Sequence, residues 1–205
     1  MMKKVLMLVL SGLAISVAAS AWAEGGNAEA GKTKSATCAA CHGADGNSVN
    51  PEWPKLAGQH PSYLLKQLMN FKNDERVNPS MSPMAKPLSD QDMADLAAYY
   101  SSQVMKAGEA DQSKVTLGEQ IYKGGNNATG VAACAACHGP TGAGNPAAKF
   151  PAINGQHAAY TKNQLNAFRK GERANDAGKM MRNIAAGMTD AEIEAVSEYI
   201  AGLQK

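Results

Sequence analysis

The 205-residue chain contains one hexapeptide twice: Cys-Ala-Ala-Cys-His-Gly at residues 38–43 and again at residues 134–139. Each copy places two thiols on a single turn of backbone, with an imidazole directly after the second thiol. Three chemistries use such a spacing. A redox dithiol of the thioredoxin kind requires a strand–helix pattern around the motif, and none is visible. A zinc site requires the two pairs to converge, yet each pair occupies the same place in its own repeat unit. The third chemistry is covalent haem attachment, for which Cys-x-x-Cys-His is the signature. Cys38 and Cys41 are spaced to form thioethers with the two vinyl groups of one porphyrin, and His42 then faces the iron as axial ligand. Cys134, Cys137 and His138 repeat that arrangement for a second haem c. The two motifs use all 4 cysteines, so none is left for a structural disulfide.

Haem iron with His and Met ligands has a raised potential, the arrangement of electron-carrying cytochromes. The chain has 11 methionines, and register selects among them. Met81 lies seven residues before Leu88, which precedes Ser89; Met181 lies seven before Met188, which precedes Thr189. These two are the expected sixth ligands, with Met84 and Met180 as adjacent competitors. Met69 and Met93 fall on helices and read as core. His60 and His157 are also repeated and define a rival bis-His arrangement, but each follows its proximal His closely, in a Gly-Gln-His turn. The carbonyl of Pro54 or Pro151 is the expected acceptor for the second ring nitrogen of the ligating His. Gly43 and Gly139 are expected to let the backbone turn after the His; Trp53, Tyr63 and Tyr160 fit either the lining of a haem pocket or ordinary packing.

The elements that position these groups also come in pairs. After each Cys motif come PKLAGQH (residues 54–60) and PAINGQH (151–157), then YLLKQLMNFKNDER (63–76) and YTKNQLNAFRKGER (160–173). Segments 81–103 and 181–204 close the match, and the offset drifts from 96 to 97 to 100 through small insertions. Such insertions belong in loops. Two homologous domains follow, divided in the polar stretch 106–113. The reading is all-α. A helix leads from residue 29 to 37 into the first motif, and its counterpart begins at 118–123, followed by a Gly/Asn-rich insertion at 124–130. Leu64, Leu68 and Phe71 share one helical face, repeated by Leu165 and Phe168. Ser89 with Asp92, and Thr189 with Glu192, are capping pairs for helices running to about Ser102 and Leu203. No segment alternates like a strand.

Lys3 and Lys4 give a basic start, residues 5–18 are an apolar, uncharged run, and Ala21-Trp22-Ala23 forms a small-x-small site, the pattern of a secretory signal cleaved after Ala23. The whole chain holds 20 basic and 18 acidic residues; the leader contributes two lysines, so the mature chain is neutral. No basic cluster suggests nucleic acid as a partner. Residues 24–113 carry 8 basic and 11 acidic groups, and residues 114–205 carry 10 and 7, so the halves have opposite sign. That asymmetry favours docking of the halves and orientation on partners. Aromatic residues make up only 5% of the chain, and two porphyrins supply the missing apolar mass.

The order of these motifs, from CAACHG through P-x-L/I-x-G-Q and Y-x-x-x-Q-L to M…LSDQDMADLAAYY, resembles the cytochrome c4 family over essentially all of the mature chain. The resemblance implies two tandem homologous cytochrome c-like domains, all-α, related by pseudo-twofold symmetry. It implies His–Met ligation of each iron, through Met81 and Met181 here, and electron delivery toward a terminal oxidase. The expected organisation is a signal peptide at 1–23, an N-terminal domain at 24–108 and a C-terminal domain at 109–205. The expected function is a periplasmic carrier of single electrons, not an enzyme, working between membrane-bound redox proteins such as an upstream quinol-oxidising complex and a terminal oxidase. Peripheral association with the membrane is left open. Two rival functions share the haem chemistry: a fixed relay subunit of a dehydrogenase complex, and a dihaem peroxidase.

Overall fold

The computed structural model describes residues 25–204. The expected export signal, with its cleavage point after Ala23, lies outside the described residues. The described chain is helical, with strand-like pairing limited to two isolated bridges, Asn126 to Val131 and Asn145 to Phe150.

The first half holds α1 (Ala28–Lys34), α2 (Ala36–His42), α3 (Pro61–Lys72), α4 (Met81–Ala85) and α5 (Asp90–Ser101). The second half repeats the order with α6 (Gln112–Gly124), α7 (Ala135–His138), α8 (Ala158–Lys170), α9 (Met180–Ala186) and α10 (Asp190–Gly202). In each half the first and last helices cross, α1 on α5 and α6 on α10. Glycine makes the crossing close. A Cβ on Gly31 would lie 2.0 Å from the Asp95 carbonyl oxygen, and one on Gly118 would lie 2.2 Å from that of Ala195. Both distances are impossible for a real side chain, so the two glycines set how near the backbones approach.

The crossing helices begin with reciprocal caps. The Ser89 hydroxyl accepts from the Asp92 N–H while the Asp92 carboxylate accepts from the Ser89 N–H. Thr189 and Glu192 repeat the exchange. Each cap satisfies amide donors that a helix start leaves unpaired. Two apolar cores lie behind these helices. One gathers Leu64, Leu96, Ala97, Tyr99 and Tyr100, with Cys38 packed against it. The other gathers Ile121, Tyr122, Leu165, Ile193, Val196 and Ile200 with neighbours, and Cys134 and Met181 pack against it.

Two elements differ from the sequence expectation. The helix expected to begin at residue 118 begins at Gln112, where the Asp111 carboxylate accepts from the Ser113 N–H and caps it. The polar stretch expected to be linker therefore supplies the first turn. The segments carrying Met81 and Met181 are short helices rather than loops. Asn78 Oδ1 accepts from the N–H groups of Ser80 and Met81 and so starts α4. Asp176 grips α9 through the Arg182 backbone N–H and guanidinium.

The two halves face each other through reciprocal polar contacts. Arg76 donates to Tyr160 Oη (3.1 Å) and Gln164 Oε1 (2.7 Å), and Arg173 donates to Tyr63 Oη (2.9 Å) and Gln67 Oε1 (3.2 Å). Each guanidinium also lies over a phenylalanine of its own half, Arg76 over Phe71 and Arg173 over Phe168. The exchange of equivalent partners is the mark of a pseudo-twofold relation. Among the described residues no salt bridge joins the halves; hydrogen bonds from amide, guanidinium, imidazole and ammonium groups hold them. The opposite net charges of the halves are thus not expressed as ion pairs between them among the described residues.

Candidate haem-attachment sites

Each Cys-x-x-Cys-His motif sits on a short helix that stops at its own His. α2 ends at His42 and α7 at His138, and Gly43 and Gly139 follow with φ of 79° and 78°, turning the chain away. Both imidazoles are buried, 5% exposed for His42 and 8% for His138. His42 Nδ1 lies 2.9 Å from the Pro54 carbonyl oxygen, and His138 Nδ1 lies 2.9 Å from that of Pro151. A carbonyl can only accept, so Nδ1 holds the proton and Nε2 keeps a free lone pair. Burial pushes both imidazoles below the usual histidine pKa, while the proline carbonyls act the other way. Neutral rings with one nitrogen oriented and the other free are prepared to bind a metal.

The thiols divide by depth. Cys38 and Cys134 are partly buried against the two cores, and Cys41 and Cys137 are exposed; all four are free. Burial raises the Cys38 thiol and pushes that of Cys134 up to about 11. A redox dithiol needs the opposite, a thiol depressed toward neutrality. Among the described residues no group of three His, Cys, Asp or Glu converges as a metal site, so the two motifs stay apart as the repeat implies.

The methionines also separate by environment. Met81 and Met181 are half-buried, whereas Met84 and Met180 are 45% and 43% exposed. Met181 packs on the same core as Cys134. The rival histidines are engaged elsewhere. His60 Nε2 donates to the Ala143 carbonyl (2.8 Å) and His157 Nε2 to the Ser48 carbonyl (2.7 Å), each across the divide between the halves. Tyr63 and Tyr160 receive the cross-half arginines, and Trp53 is 40% exposed.

The residues fit a covalently held porphyrin. The Tyr100 hydroxyl is buried with no well-aligned hydrogen bond among the described residues, and the Ser35 hydroxyl and the Cys38 thiol are its polar neighbours. Unpaired thiols at vinyl spacing and a lone pair on a fixed imidazole complete the donor set.

Sequence reasoning missed Gln59, Gln156, Arg76 and Arg173, which all reach across the interface. The signal was present: Gly-Gln-His and Glu-Arg occur in both repeats.

Two helical units, each closing on a Cys-x-x-Cys-His helix and a half-buried methionine, define a two-haem c-type cytochrome. The family model described as cytochrome c matches residues 28–103 and again residues 115–204. Cytochrome c4 of Thiocapsa roseopersicina is 53% identical over 182 residues, covering 88% of this chain and 94% of that protein. The crystal structure of reduced recombinant cytochrome c4 from Pseudomonas stutzeri superposes with a TM-score of 0.85 at 49% identity, covering 87% of this chain and all of that one. A thiosulfate dehydrogenase electron acceptor from Thiomonas intermedia strain K12 is 38% identical, covering 98% of this chain and 91% of that protein. The chain belongs to the cytochrome c4 family of the c-type cytochromes. It is a dihaem electron-transfer protein with two covalently bound haem c groups.

Proposed function

We propose that the mature protein is a periplasmic carrier of single electrons between respiratory partners, accepting from a quinol-oxidising complex and delivering toward a terminal oxidase. We assign residues 1–23 to the export signal and 24–108 and 109–205 to the two haem domains. Cys38 and Cys41 would anchor one haem, with His42 and Met81 holding its iron; Cys134 and Cys137 would anchor the other, with His138 and Met181. When bound, each haem supplies an iron that cycles between Fe(III) and Fe(II) by one electron.

The observation that carries this reading is the repeated pair of His42 on Pro54 and His138 on Pro151, each in a half that also carries a half-buried methionine on a short helix in the same register. The chain's own residues then hold rather than react. His42 and His138 keep their Nδ1 protons on neutral carbonyls, so no carboxylate drives the rings toward imidazolate. Met81 and Met181 would serve as the second protein ligands to the irons, the His–Met pairing of electron carriers, and that pairing would favour electron transfer over peroxidase chemistry. The export signature and the unpaired state of all four cysteines suit attachment of haem outside the cytoplasm. No helix of the described residues is long and apolar enough to cross a membrane.

A second reading has its own support. The similarity to a thiosulfate dehydrogenase electron acceptor favours a dehydrogenase of that kind as the electron donor. Stopped-flow oxidation separates the readings. Reduced protein mixed with oxidase-containing membranes is expected to reoxidise in two one-electron phases. Failure to reoxidise there, with rapid reduction by a thiosulfate-oxidising enzyme, would favour the second reading. Turnover of hydrogen peroxide would sink the carrier reading.

A further inference from the structure

The Gly-Gln-His turn of each half reaches the backbone that orients the other half's proximal histidine. The peptide group joining Pro54 to Lys55 is used at both ends. Its C=O accepts from His42 Nδ1 at 2.9 Å, and its N–H donates to Gln156 Oε1 at 2.9 Å. The peptide joining Pro151 to Ala152 repeats this: its C=O accepts from His138 Nδ1 at 2.9 Å, and its N–H donates to Gln59 Oε1 at 2.9 Å. Both glutamines are buried, 6% exposed for Gln59 and 8% for Gln156. Their orientation is fixed. Each amide oxygen also accepts from the N–H of the next residue, His60 or His157, and each amide nitrogen donates to a carbonyl, Gln59 to Ala152 and Gln156 to Lys55. A flipped amide would set N–H against N–H at two places.

We propose that Gln59 and Gln156 are positioning residues that tune the redox site of the opposite domain through this shared peptide group. The proposal rests on the ligand assignment of His42 and His138 made above. A hydrogen bond accepted from a peptide N–H polarises the peptide and raises the electron density on its carbonyl oxygen. Such chains strengthen neighbouring bonds by roughly 10–30% each. A stronger acceptor on Nδ1 makes the imidazole a better donor to iron, which favours the ferric state and lowers the potential. Gln156 therefore lowers the potential of the N-terminal haem, and Gln59 lowers that of the C-terminal haem. The path is hydrogen bond, peptide, hydrogen bond in both directions, with one side chain crossing the interface each way.

The simpler role for these glutamines is adhesion between the halves. Adhesion predicts that a change at either residue loosens the same interface and disturbs both haems alike. Tuning predicts opposite signs in the difference between the two potentials.

The test uses the complete dihaem protein with Gln156→Leu and Gln59→Leu, each haem followed separately by NMR at partial reduction. Gln156→Leu is expected to raise the N-terminal haem potential above its normal value while moving the C-terminal one less. Gln59→Leu is expected to do the reverse, so the gap between the two potentials shifts in opposite directions. In the ferrous protein the Nδ1–H resonance of His42 should move upfield in Gln156→Leu and stay in place in Gln59→Leu. Gln156→Glu, which keeps an oxygen on the Lys55 N–H, should restore that resonance. Equal shifts of both haems, or an unmoved His42 resonance in Gln156→Leu, would overturn the tuning role. The wild-type spectrum checks the underlying assignment independently. If His42 and His138 lack the large ring-current shifts of haem-bound imidazole, the ligand assignment fails and the tuning role falls with it. If those shifts are present and the gap does not move, the tuning role alone fails.

Discussion

The two buried histidines are held by carbonyl oxygens, not carboxylates. That choice keeps each ring neutral and matches a high-potential couple, because a carboxylate partner would push the ring toward imidazolate and stabilise ferric iron. At this scale the sequence is most readable where the chemistry is local. Cys38, Cys41 and His42 lie within one turn, so their joint role is visible in the spacing. Gln59 is illegible by the same logic, since its partner, Ala152, is 93 residues away and belongs to the other repeat. Register in the repeat favours Met81 over Met84, and Met84 is 45% exposed. Met84→Leu is therefore expected to leave the visible and near-infrared spectra unchanged. Loss of the methionine signature in that variant would move the ligand by one helical turn.

At the scale of elements, the last helix of each half was legible at both ends, because a Ser or Thr three residues before an acid is a local signal. The start of α6 was not. Its cap, Asp111, sits at the end of a run of polar and small residues that resembles a linker, and the helix it starts packs along α10. The crossings depend on two glycines, and Gly118→Ala should act through overpacking. It is expected to cost at least about 1–3 kcal/mol, measured as a lowered urea midpoint of the C-terminal half, with a backbone shift in α6. Thr189→Ala should cost about 1 kcal/mol through the lost cap, read in the same unfolding curves. Unchanged curves in both variants would show that crossing and cap do not limit stability.

Acid sensitivity belongs to the same scale. Hydrogen bonds from Lys106 and Asn47 hold the Asp45 carboxyl down at about 2. Hydrogen bonds from Lys34 depress Asp92 and Asp95, and the Thr189 N–H and Asn126 depress Glu192. A carboxylate lowered by folding contributes stability that is fully present above its unfolded pKa, about 4, and is lost as pH falls through the folded value. Unfolding of the dihaem protein should therefore become easier between about pH 4 and 2. Stability that stays flat across that window would contradict these contacts.

Across the whole molecule, two domains of one repeat are joined by hydrogen bonds between equivalent partners. The tandem arrangement was legible in the duplicated motifs, but the interface was not, because net charge suggested attraction between opposite halves. The contacts are instead made by side chains that need exact partners. Arg173 is 8% exposed and its guanidinium is satisfied by Gln164, Tyr63, Gln67 and Asn175, all uncharged. Truncating it removes the donor to Tyr63 Oη and Asn175 Oδ1, while Gln67 and Gln164 keep Arg76, at a cost of about 1–3 kcal/mol for a group stranded. Arg173→Ala is thus expected to loosen the two domains, seen as a larger radius in small-angle scattering and independent tumbling by NMR. A rigid two-domain particle in that variant would place the docking energy elsewhere. Lys55 gives a second clamp, its ammonium donating to the carbonyls of Lys106 and Gly155 and so tying the connecting segment to the second domain.

The claim that unites the three scales is that each repeat holds its own haem between its own His and its own Met. The near-infrared absorption of methionine sulfur on ferric haem reads it directly. The wild-type protein should show that band at two-haem intensity, and Met81→Ala and Met181→Ala should each remove about half of it. Absence of the band in the wild type, with high-spin or bis-His features in its place, would contradict the claim.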